Sequence, residues 1–166
     1  MTTTSSPTTT LRPLTDAEYE VWLAAIIPAY AADKVATGVW AADEALEKSR
    51  QEYSTLLPQG RQTPGHHHYA VVDGNGQTVG SLWIAEAQRP GKRVAYVYDV
   101  SIAPGHRRQG HALRAFQALE GEVARLGLAG IALHVFGHNT AAQALYAKLG
   151  FQPTNINLYK AVAPAA

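Results

Sequence analysis

Arg107, Arg108, Gln109 and Gly110 stand between an apolar, strand-like run ending at Ile102 and a segment of helical spacing that begins near His111. A helix N-terminus offers N–H groups with no intrahelical partner, and the helix dipole adds partial positive charge there. With two guanidinium groups beside it, such a junction suits phosphate binding, and glycine at 110 lets an anion come close to the backbone. Two common phosphate loops are excluded, because the junction has neither Gly-x-x-x-x-Gly-Lys-Ser/Thr nor Gly-x-Gly-x-x-Gly. Further on, the segment Asn139 to Phe151 contains a short helix over 140–149. If Asn139 caps it, then Asn139, Ala142, Tyr146 and Leu149 fall on one side at about 100° per residue.

Taken together, the two segments resemble the Gcn5-related N-acetyltransferases. Arg107-Arg108-Gln109-Gly110-His111-Ala112 resembles the family's Gln/Arg-x-x-Gly-x-Gly/Ala signature. The segment Asn139-Thr-Ala-Ala-Gln-Ala-Leu-Tyr146-Ala-Lys-Leu-Gly150-Phe151 resembles its Asn-x-x-Ala-x-x-Leu-Tyr-x-Lys-Leu-Gly-Phe, in family order and at family spacing. The likeness is close over residues 77–162 and loose before that. It implies acetyl-CoA as acyl donor, with the pyrophosphate on the amides of Arg107, Arg108, Gln109, Gly110, His111 and Ala112. It also implies a bulged central strand that splays from its neighbour and takes the pantetheine arm along Val100 and Ile102, with the Val100 amide facing the oxyanion. Asn139 would bond the pantetheine arm or the loop around it, and Tyr146 would sit beside the sulfur as proton donor.

Acetyl transfer from a thioester to an amine needs a neutral amine, a stabilised oxyanion and a proton for the departing thiolate. For the base, His134 stands where the ribosomal-protein N-terminal acetylases resemble this strand but carry glutamate, and imidazole titrates near neutrality. A packed strand histidine is the competing reading. Asp99, on the central strand, could bind the incoming ammonium or relay its proton through water, and Glu86 is a third option. The resulting expectation is transfer of acetyl directly to a primary amine on a small molecule, a peptide N-terminus or a lysine. The alternative is a catalytically silent acyl-CoA-binding module. Trp22, Tyr30, Trp40 and Trp83, with Asp33, Asp43 and Glu44, are candidates for an acceptor cleft whose orientation sequence leaves open.

Composition narrows the classes. With 166 residues, 46% hydrophobic and 16% charged, the chain reads as a single globular domain over 11–163 behind a threonine-rich, disordered tail over 1–10. A net charge of +1 shows no basic surface for nucleic acid. No apolar run approaches membrane-spanning length, so the expected compartment is the cytoplasm, and the one protein partner left open is a second copy in a homodimer. The absence of cysteine removes disulfides, thiolate zinc sites and any cysteinyl acyl-enzyme. His66-His67-His68 assigns no metal, because adjacent side chains on an extended segment point to opposite faces.

These residues must be positioned by a mixed α/β fold, with helices on both faces of a twisted, mostly antiparallel sheet. The chain in order predicts a short edge strand at Leu11–Leu14 and a helix opened by the capping box Thr15-Asp16-Ala17-Glu18 and ended near Pro28. A second helix is expected over 43–57. Strands at 69–73 and 78–86 flank the turn Gly74-Asn75-Gly76, and the central strand covers 94–102. A helix over 110–126, a buried strand over 130–136, a helix over 140–149 and a final strand over 152–162 complete the order.

Overall fold

The Thr15 hydroxyl accepts the Glu18 N–H at 3.2 Å, and the Glu18 carboxylate accepts the Thr15 N–H at 2.9 Å, so the capping box closes and helix α1 (Asp16–Ala36) begins where its sequence requires. The computed structural model describes residues 8–165. Arg12 clamps the same carboxylate with two bonds of 2.7 and 2.8 Å, which with the Thr15 bonds holds Glu18 down at about 2.

The helix does not end at Pro28 but runs through it to Ala36. An interior proline loses one backbone bond and crowds the preceding turn, at a cost of about 3 kcal/mol. Two features offset that cost. The residues after Pro28 include Ala29, Ala31 and Ala32, which favour helix, and α2 (Ala45–Leu56) packs alongside. Ser49 of α2 donates to the Ile27 carbonyl at 2.7 Å, and Tyr30 meets Tyr53 edge-on at 5.7 Å.

Five strands form one sheet in the order β1-β2-β3-β4-β5, antiparallel except for the last pair. The strands are β1 (Thr9–Pro13), β2 (His66–Asp73), β3 (Thr78–Arg89), β4 (Lys92–Ile102) and β5 (Ile131–Ala132). Pro13 sits on the edge strand, the place a residue without an N–H can occupy. Thr9 and Thr10 pair with Asp73 and Val72, so these two belong to the sheet rather than to a tail reaching residue 10; residues 1–7 of that expected tail lie outside the described residues. In the turn, Asp73 accepts the N–H groups of Asn75 and Gln77, both at 2.9 Å, and Gly76 takes φ +80°.

Helices cover both faces. His68 of β2 packs on Tyr19 and Trp22 of α1, while its neighbour Tyr69 turns the other way, to Glu122 of α3 (His111–Arg125). The α1 and α2 side forms an aromatic core of Tyr19, Trp22, Tyr53 and Trp83. On the other side Phe116 and Leu119 of α3 are fully buried.

Two strand expectations are corrected. The strand expected over 130–136 pairs only at Ile131 and Ala132, against Ala95 and Tyr96. Its next partners would be Val97 and Tyr98, where β4 bulges, and a bulge breaks the ladder and bends the strand. No strand forms over 152–162: residues 151–165 have no regular secondary structure. A strand needs a ladder to join, and Pro153, Asn155 and Asn157 make this segment a poor one. The described residues divide between His134 and Val135 into two compact units, the second carrying α4 (Thr140–Lys148).

Candidate active site

The bulge in β4 decides which backbone groups are open. Trp83 pairs with Asp99 and Ile84 with Val97, leaving Tyr98 as the extra residue. Before the bulge, the Ala95 N–H points to the β5 side, donating to the Gly130 carbonyl at 2.9 Å. After it the Ala103 N–H points to β3, donating to the Val79 carbonyl at 2.8 Å. Antiparallel strands alternate the direction of successive N–H groups, so Val100 and Ile102 direct theirs away from β3. That edge of β4 has no β5 partner, since β5 reaches only Tyr96. The Ile102 carbonyl faces the same way and accepts Arg107 Nε at 2.9 Å, which fixes Arg107 as a brace for the loop.

The loop then turns through two left-handed residues, Arg108 at φ +63° and Gly110 at φ +79°. Arg108 is the one non-glycine residue with positive φ among those described, a conformation that re-aims the chain at an energetic cost. Gly110 is the N-cap of α3, and no side chain among the described residues caps that helix. Its first-turn amides, from His111 and Ala112, therefore keep the bonding capacity of an anion site, as the fit to a pyrophosphate requires. Gln109 Nε2 returns to the Gly105 carbonyl at 3.2 Å.

His111 contributes its amide and not its ring, because the ring is buried and Nδ1 lies 3.0 Å from Thr9 Oγ1. Burial pushes its pKa down, with Arg114 acting in the same direction. Sequence reasoning missed Arg114, which donates to the Gln109 carbonyl at 2.8 Å and to Thr9 Oγ1 at 2.9 Å. Its place one turn after Gly110 is the signal that could have found it.

Asp99 lies on the α1 and α2 face. Burial raises its pKa, and a hydrogen bond from Trp22 opposes that rise. It borders an open cleft of about 600 Å³ between α1 and the Gly80 to Ser101 region of β3 and β4. Of the aromatic and acidic candidates for an acceptor cleft, Trp22 lines this one. Tyr30 and Trp40 instead pack edge-on at 5.5 Å beside Lys34, and Glu44 pairs with Lys48.

The histidine run divides as alternation demands. His66 accepts the Trp83 indole N–H at 3.1 Å, His68 stacks on Trp83, and His67 turns away to Glu86 at 3.0 Å. Among the described residues no group of three or more His, Cys, Asp or Glu could hold a metal ion. Glu86 also pairs with Arg93; the bond from His67 leads the effects that lower its pKa, which leaves it a weak base. His134 is exposed and lies two residues beyond β5, off the strand where sequence expected it.

In the second unit Asn139 caps α4, its Oδ1 accepting the Ala142 N–H at 3.1 Å. Ala142, Tyr146 and Leu149 are the half-buried stripe that helical spacing anticipates. Tyr146 meets Phe151 edge-on at 5.4 Å, and burial raises its phenol pKa. Its hydroxyl thus keeps a proton at neutral pH.

The open α/β sheet thus carries a bulged, half-paired strand that leads into the N-terminus of α3. The chain belongs to the acetyltransferase (GNAT) family, whose model matches residues 19–151. It is 34% identical over 152 residues to the "Uncharacterized N-acetyltransferase YdgE" of Bacillus subtilis (strain 168), covering 91% of this chain and 96% of that one. It is 35% identical over 151 residues to YycN of the same organism, also named an uncharacterized N-acetyltransferase, covering 90% and 96%. A crystal structure of YycN superposes with a TM-score of 0.82 at 32% identity, over 95% of this chain and 100% of that one. The aminoglycoside 6'-N-acetyltransferase AAC(6')-Ih of Acinetobacter baumannii shares the fold at a TM-score of 0.57 and 18% identity, over 95% and 99%. No helix among the described residues is long and apolar enough to cross a membrane.

Proposed function

We propose that this chain is an N-acetyltransferase that moves acetyl from acetyl-CoA directly to a primary amine. The observation that carries the reading is the continuous path from the bulge at Tyr98, along the edge of β4 beyond its β5 pairing, to the N-terminus of α3 at Gly110. The donor supplies an activated acetyl group and a sulfur leaving group. Amides of Arg108 to Ala112 bind the pyrophosphate, with charge from Arg108, while Arg107 braces the loop from Ile102. The N–H groups of Val100 and Ile102 take the pantetheine arm by strand addition, and the Val100 N–H, two residues past the bulge, stabilises negative charge on the acetyl oxygen. Asp99 holds the incoming ammonium and passes its proton toward water; His134 is the second candidate for that role. Tyr146 holds a proton at its hydroxyl for the sulfur, and Asn139, as cap of α4, orients that helix.

Free-thiol release from acetyl-CoA, measured across a panel of amines and peptides, tests the reading. Amine-dependent thiol release supports it. Tight acetyl-CoA binding by calorimetry with no release on any amine replaces it with a silent acyl-CoA-binding module.

A further inference from the structure

The cleft beside Asp99 is built from unlike walls. One wall is α1, which presents Val21, Ala25 and Ala29 at four-residue spacing, an apolar stripe facing the opening. The opposite wall is the Gly80 to Ser101 corner of β3 and β4, with Asp99 at the inner end of that strand pair. Val21 is 72% exposed, more than an apolar side chain on a helix needs to be, and it stands at the rim. A volume of about 600 Å³ lies within the range of ~300–1,000 Å³ typical of small-molecule sites.

The charges are as telling as the shape. Two carboxylates border the cleft, Glu18 and Asp99. Glu18 is committed, with both oxygens held by Arg12 and one also by the Thr15 N–H. Asp99 carries no ion pair among the described residues, and Trp22 is the one neighbour that favours its charged form against burial. One carboxylate can compensate one ammonium. A second or third ammonium in the same cleft would lie against alanine and valine, where an unpaired charge is costly.

Resting on the acetyltransferase reading, we infer that the acceptor is a monoamine with an apolar body, its single ammonium at Asp99 and its hydrocarbon along Val21, Ala25 and Ala29, rather than a polycation. The aminoglycoside enzymes that share the fold do so at identities of 16–21%, which carries the architecture and not the acceptor. In the reaction a C–N bond forms and the thioester C–S bond breaks; the ammonium nitrogen gives up two protons, one released to water and one that in net replaces the proton Tyr146 hands to the sulfur, which departs as the thiol of CoA.

The test uses the full chain, with phenethylamine and hexylamine against spermidine and kanamycin. Two readouts are taken: kcat/KM by thiol release, and amine binding by calorimetry on protein saturated with CoA. The expected result is a kcat/KM at least about tenfold higher for the monoamines. Ala25→Trp, at an exposed helix position facing the cleft, should raise KM for phenethylamine at least about tenfold while acetyl-CoA affinity holds. Val21→Lys, fully tolerable at so exposed a site, should do the same by repelling the ammonium. A preference for spermidine or kanamycin, or an unchanged KM in both folded variants, overturns the inference while leaving the acetyltransferase reading intact. Monoamine binding that both variants weaken, without turnover on any amine, supports the cleft assignment and ends the acetyltransferase reading. Absence of monoamine binding together with absence of turnover overturns both.

Discussion

Trp83 and Tyr98 stack at 4.6 Å with their rings 20° apart, across the point where β3 and β4 slip out of register. Trp83 is directly opposite Asp99, so the bulge sets Tyr98 and Asp99, consecutive in sequence, against the same aromatic face. A regular strand would send them to opposite sides. The carboxylate reaches the cleft because of that one extra residue.

In its proposed role Asp99 must be ionised to hold an ammonium, and burial raises its pKa above the ordinary aspartate value. Activity should therefore fall as pH drops through that raised pKa. In Asp99→Asn, kcat/KM should drop at least about tenfold and this acid limb should vanish from the pH profile. If the limb survives in Asp99→Asn and disappears in His134→Ala, the base is His134.

Gly110 is left-handed at the start of α3, and any side chain there is strained and stands in the path proposed for the pyrophosphate. Gly110→Glu also adds negative charge. Acetyl-CoA affinity measured by calorimetry should be lost in a protein that still unfolds cooperatively. Unchanged affinity would remove the donor site from this loop.

Tyr146→Phe keeps the ring against Phe151 and deletes the proton. Loss of a positioned general acid costs on the order of 10²–10⁴ in rate, so kcat should fall by at least the lower figure with acetyl-CoA affinity and melting temperature little changed. A kcat within about threefold, with chemistry shown to be rate-limiting, reduces Tyr146 to a packing residue.

His68 is 5% exposed between Trp22 and Trp83, and neither ring nitrogen has a hydrogen-bond partner among the described residues. Burial depresses its pKa from 6.5 to about 3. Between those values the unfolded chain binds a proton that the folded chain refuses, so stability falls as pH drops from 6.5 toward 3. His68→Phe keeps the stack and removes two unsatisfied nitrogens. It should match or exceed the parent's urea midpoint near neutral pH, and its advantage should widen by about pH 4. A variant whose midpoint shifts with acid as the parent's does would show that His68 is not the group responsible.

Local signals were the legible part of the sequence. The Thr15 to Glu18 capping box, the Gly74 to Gly76 turn, the α3 junction and the Asn139 cap each depend on residues within a few positions of one another. What stayed hidden was tertiary. Pro28 reads as a helix end until Ser49 and Tyr53, more than a turn of another helix away, are seen to hold α1 together. The exact place of the bulge, and hence the face of Asp99 and the early end of β5, depends on how β3 and β4 meet. Residues 130–136 carry strand-like composition, yet composition cannot supply the neighbour a strand must bond, and over 152–162 Pro153, Asn155 and Asn157 already weaken the strand reading.

Thr9 bonds both His111 and Arg114 through one hydroxyl oxygen, at 3.0 and 2.9 Å. For protein engineering this fixes where the chain can be cut. Trimming the threonine-rich leader through residue 10 deletes the anchor of the first turn of α3 along with two strand residues, whereas trimming up to Thr8 spares both. An affinity tag or fusion partner joined close to Thr9 loads, through that single oxygen, the first turn of α3 on which the proposed pyrophosphate site depends.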